Sequence, residues 1–145
     1  MSKVSATIVI NKPIQEVFDY TASPHNGPAF IPNLNENSNI MPEEAGMGQT
    51  FDWRFTLAGV DLTGKAEVTA FTPPTHVTIH TTGDSTTDWV YTFAEEAGGT
   101  KVTVEVNYEI EENALKRVAN RMIVDKLNQR STEQMLDNLK TILES

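Results

Sequence analysis

Apolar and polar positions alternate most cleanly between Thr50 and Leu57, where Phe51, Trp53, Phe55 and Leu57 fall on one side and Asp52, Arg54 and Thr56 on the other. A period of two marks a strand with one face buried. Thr87, Trp89, Tyr91 and Phe93 repeat the aromatic face, and Val102, Val104, Val106, Tyr108 and Ile110 oppose Lys101, Thr103, Glu105, Asn107 and Glu109. A first strand is predicted from Lys3 to Ile10. From Asn35 onward six more are predicted, Asn37 to Met41, Thr50 to Leu57, Asp61 to Phe71, Thr75 to Thr82, Thr86 to Ala94 and Thr100 to Ile110. The breaks between them are rich in Gly, Pro, Asp and Ser. None could hold a helix, so parallel crossovers are excluded and one continuous antiparallel meander is expected.

Helical spacing occurs twice. Asn11 offers an N-cap and Pro13 a helix start for Ile14, Val17 and Phe18, with Glu16 in the first turn. Ser23 to Pro28 ends that helix, and Ala29-Phe30-Ile31-Pro32 leaves room for one further turn, giving a bent pair of short helices. After Glu111-Glu112-Asn113, with Asn113 as the cap, a run without Gly or Pro extends from Ala114 to Glu144. At about 1.5 Å per residue it would be roughly 45 Å long. An eight-residue strand spans about 26 Å, so this helix crosses the sheet and overhangs it. One apolar stripe is Leu115, Val118, Ala119, Met122 and Ile123, and a second is Met135, Leu136, Leu139, Ile142 and Leu143. Lys126, Gln129 and Glu133 continue the line of Met122, so they either form a polar patch facing the sheet or sit in solvent beyond a bend.

With 145 residues the chain is expected to form a single domain, 1–145. Its net charge of -9, with basic residues scattered singly, opposes binding to nucleic acid or anionic membranes. The chain contains no cysteine, which excludes disulfides, thiolate metal sites and cysteine nucleophiles. The apolar run near the start is too short for a signal peptide and no later stretch would span a bilayer, so a cytoplasmic protein is expected.

The order strand, two short helices, six-strand meander and long last helix resembles the α+β helix-grip fold of the polyketide cyclase/dehydrase and lipid-transport superfamily. That group, also called SRPBCC or START-like, includes the birch-pollen allergen and steroidogenic lipid-transfer domains. The resemblance rests on Val9 to Tyr20, the Phe30-Ile31-Pro32 corner and the closing Leu136 to Glu144. It implies an apolar cavity between the concave face of the sheet and the last helix. Phe51, Trp53, Phe55, Trp89, Tyr91 and Tyr108 would line it, with Phe30 at the corner. Met122 and Lys126 are further candidates on the helix, Lys126 being placed to meet a carboxylate or phenolate. Clustered Trp and Tyr make an apolar wall with polar handles, although the same residues also suit a packed core.

Chemistry has little to stand on. No phosphate loop, serine elbow or metal motif occurs, and no cofactor is expected. His76 and His80 lie four residues apart on a strand, about 13 Å, too far to share one ion, and Val77 and Ile79 claim the inward side. His25 sits in the Pro-rich corner, as a surface residue or at the rim of the cavity. Asp52, Glu67, Asp88 and Glu105 oppose their apolar neighbours and are expected in solvent. The first reading is a carrier of a small hydrophobic, aromatic or lipid-like molecule. A cyclase or dehydratase of polyketide-like aromatic substrates is the alternative, with Tyr91 or Tyr108 polarising a carbonyl. A protein-interaction module, as in the chaperone-activator branch of the superfamily, is a third.

Overall fold

The computed structural model describes residues 2–118 and 121–145. Seven strands form one antiparallel sheet: β1 (Ser2–Ile10), β2 (Leu34–Met41), β3 (Thr50–Leu57), β4 (Val60–Thr72), β5 (His76–Gly83), β6 (Ser85–Glu96) and β7 (Gly99–Ile110). Their order is β1-β7-β6-β5-β4-β3-β2. Strands β2 to β7 are therefore the expected meander, and β1 joins its far end by pairing antiparallel with β7, Val4 opposite Val106 and Ile8 opposite Val102. Register shifts interrupt β2–β3 on both sides of Asn37 and β4–β5 between Val68 and Ala70. An extra residue on one strand bends it and strengthens the twist, which curves the sheet around its apolar face.

Between β1 and β2 run α1 (Ile14–Ala22), a 3₁₀ turn (Pro24–Asn26) and α2 (Gly27–Phe30). Phe18 anchors α1 by edge contacts with Phe71 and Phe93, ring centres 5.4 and 5.2 Å away. The N-cap of α1 is Pro13, not Asn11. Asn11 instead donates its backbone N–H to Glu144 Oε2 at 2.8 Å, joining the end of β1 to the end of the chain.

The last helical region consists of α3 (Glu112–Val118) and α4 (Arg121–Glu144). Its cap is Glu111, whose carboxylate accepts the Ala114 N–H at 3.1 Å, in place of the expected Asn113. The first predicted stripe is displaced. Met122 is 82% exposed and Ile123 43%, whereas Val124 is buried together with Thr132, Met135, Leu136 and Leu139. Ala119 and the side chain of Val118 lie outside the described residues.

Polar side chains of α4 close the open edge of β1. Gln129 Nε2 donates to the Ser5 carbonyl at 3.3 Å and Lys140 Nζ to the Val9 carbonyl at 2.8 Å. An uncovered edge offers its carbonyls to other chains, and these bonds occupy two of them. Gln129 also donates to Glu133 at 3.1 Å, and Lys126 is exposed. The residues that continue the line of Met122 therefore serve the sheet edge and the solvent, not an inward patch.

Candidate functional site

The curved face of the sheet, α2 and α4 enclose a cavity of about 130 Å³, room for several waters. Its rows follow from strand register. Phe51 lies beside Ala66, then Thr81, Thr87 and Tyr108 across β3 to β7. In the next row Val68, Ile79, Trp89 and Val106 succeed one another across β4 to β7. Phe55 extends the aromatic wall on β3, and Phe30 closes the corner from α2.

Trp53 has a particular seat. It pairs with Gly64, and Gly64 pairs with Gly83. A Cβ on Gly64 would come within 2.6 Å of the Trp53 ring and 1.9 Å of the Thr82 carbonyl oxygen. The glycine thus lets the indole lie down on the sheet, with its N–H donating to the Lys65 carbonyl at 3.1 Å.

Seven expected residues, Phe30, Phe51, Trp53, Phe55, Trp89, Tyr91 and Tyr108, border this one cavity. Met122 and Lys126 do not, because α4 is rotated so that Val124 and the side chains at four- and three-residue steps beyond it face the sheet. The helix supplies Asn128, Ser131, Thr132 and Met135 to the wall instead. The sequence reading missed the first three because it followed apolar residues. Counting back from Met135 by three, four and seven positions finds them. Asn37 was missed because β2 has no clean alternation.

The two tyrosines differ in their hydrogen bonds. Tyr91 is 2% exposed, and its hydroxyl donates to Met135 Sδ at 3.6 Å. A thioether is a weak acceptor, so that proton is lightly held, and burial pushes the phenol well above its ordinary value of 10. The Tyr108 hydroxyl donates to Asp125. Asn128 and Ser2 bond to the same hydroxyl, while desolvation and then the Asp125 carboxylate hold its pKa above the ordinary value. Tyr108 thereby fastens β7 to α4 and has no proton to spare for a bound carbonyl. Thr132 donates to the Asn128 carbonyl at 2.7 Å, and Ser85 and Thr87 share a bond of 2.8 Å.

Among the described residues no charged side chain lines the cavity. His25 is exposed and outside the wall. His80 pairs with Asp88 at 2.7 Å and His76 with Thr78 at 2.8 Å. Among the described residues no group of three or more His, Asp or Glu could hold a metal, and no helix is long and apolar enough to cross a membrane.

Solved structures share this architecture. The Thermus thermophilus protein TTHA0849 superposes with a TM-score of 0.80 at 19% identity, over 97% of this chain and 95% of its own. Ara h 8.0201 gives 0.68 at 14% identity over 99% of each chain. DynU16, a putative protein in the dynemicin biosynthetic locus, gives 0.66 at 15% identity over all of this chain and 48% of its own. At these identities the likeness concerns the fold, which is the helix-grip arrangement with a long last helix across an open antiparallel sheet. No curated protein matches the chain. The family model described as polyketide cyclase/dehydrase and lipid transport matches residues 1–144, and the chain belongs to that family.

Proposed function

We propose that this protein binds and carries a small hydrophobic or aromatic molecule in the cavity between the sheet and α4. The observation that carries this reading is the cavity itself, lined mainly by rings and aliphatic side chains in a chain of this family. Burying about 300 Å² of apolar ligand surface would contribute roughly 7 kcal/mol before the costs of association. Apolar burial of that size is enough for a Kd of about 10 μM at best, so tighter binding draws on hydrogen bonds to the wall rather than on an ion pair.

Trp53 and Trp89 are the two tryptophans of the chain, and both border the cavity. Tryptophan fluorescence therefore reports occupancy directly. Titration with a panel of bicyclic aromatics and lipid-like molecules is expected to give saturable changes between about 10 μM and 1 mM. Filling the space with Ile79→Trp should weaken binding at least about tenfold while the variant stays folded. No saturable change with any member of the panel would count against carriage.

Ring closure of a polyketide-like substrate is the second reading, favoured by one feature. Among the described residues the Tyr91 hydroxyl bonds only to a thioether, so it can turn to a ligand carbonyl at little cost. Turnover lost in Tyr91→Phe, with ligand affinity retained, would support catalysis over carriage.

A further inference from the structure

Resting on the reading of the cavity as a ligand site, we propose that it selects neutral molecules bearing a hydroxyl or N–H group, and that Asn37 is the residue that reads that donor. Asn37 lies directly opposite Trp53 in the β2–β3 pairing, on the segment isolated by the two register shifts. Its Nδ2 donates to the Pro24 carbonyl at 2.9 Å. A carbonyl can only accept, so the amide cannot be turned round without losing that bond. Gly27 makes room for the amide, since a Cβ there would stand only 2.7 Å from Asn37 Nδ2. Pro24, Gly27 and Asn37 all belong to the cavity wall.

This arrangement leaves Asn37 Oδ1 buried with no hydrogen-bond partner among the described residues. A buried acceptor without a donor is costly, and a ligand donor that satisfies it recovers that cost on binding. The tyrosines do not compete for the role. Tyr108 is engaged by Asp125, Asn128 and Ser2, and Tyr91 acts as a donor. The ligand's charge follows from the rest of the wall. With no Lys, Arg or His among the described lining residues, a carboxylate or phosphate would lose its hydration without gaining a counter-ion.

The experiment compares 2-naphthol, 2-methoxynaphthalene and 2-naphthoate at neutral pH, by tryptophan fluorescence and calorimetry, in the wild type and in Asn37→Val. The naphthol is expected to bind at least about tenfold more tightly than either relative. In Asn37→Val its advantage over the methyl ether should fall to about twofold or less, while its advantage over the naphthoate persists. A methyl ether that binds as well as the naphthol overturns the inference and leaves carriage standing, as does an unchanged preference in folded Asn37→Val. Tightest binding by the naphthoate overturns the neutral-ligand part. If none of the three binds, the carrier reading and this inference fall together. Should Asn37→Val fail to fold, the wild-type ranking of the three ligands still decides.

Discussion

Gly64 and Trp53 form the pair on which one wall of the cavity depends. The indole occupies the space that a side chain at Gly64 would need, and the nearest obstacle is the Thr82 backbone rather than a movable side chain. Gly64→Ala must therefore shift a strand or lift the ring, and is expected to cost about 1–3 kcal/mol in urea unfolding and to shift the tryptophan emission. Tyr108 makes a different kind of contribution. Tyr108→Phe leaves the half-buried Asp125 carboxylate without its donor, and a loss of about 1–3 kcal/mol is expected by the same measurement. Stability within a few tenths of wild type would mean that the Tyr108–Asp125 contact does not hold α4 to β7.

Between elements, the end of α4 is tied to the end of β1. Glu144 accepts from the Asn11 N–H at 2.8 Å and from Lys140 at 2.6 Å, and these bonds, the Asn11 one foremost, hold its pKa below the ordinary 4.5. A carboxylate with a lowered folded pKa stabilises above its unfolded value and loses that stabilisation as pH falls through the folded one. The wild type should thus exceed Glu144→Gln in melting temperature at neutral pH, with the gap closing below about pH 4.5. A gap that stays constant down to pH 3 or so would exclude the ionised Glu144 as its source.

The sequence displayed these elements unequally. β3 has the same bounds in pattern and structure because its alternation is unbroken. β2 begins three residues earlier than expected, at Leu34, because its two register shifts destroy the period of two. The inner face of α4 was hidden for a physical reason. Where the helix roofs a cavity, Asn128, Ser131 and Thr132 replace the large apolar residues that would betray the stripe. Met122 and Ile123 then drew the eye to a face that is exposed.

At the scale of the whole molecule, the net charge of -9 and the uncharged cavity wall make separate statements. The surface charge acts on a bound molecule only across the wall, where salt screens it over about 8–10 Å. Affinity for a neutral ligand should therefore change by less than about twofold between low and high salt. A steep salt dependence would point to an ionic ligand or to binding on the outer surface. Seven of the expected ring positions were legible because ring-bearing strands advertise themselves, whereas no pattern of residues distinguishes a dense core from a hollow one. The cavity lies where the register sets Thr81 and Thr87 beside the large rings.

Native mass spectrometry of the protein as purified from cells, with organic extraction of whatever it carries, tests the central claim most directly. A stoichiometric, uncharged small molecule released on denaturation is the expected result. A bare mass for the purified protein, together with no change in tryptophan emission when hydrophobic and aromatic molecules are added, would contradict it.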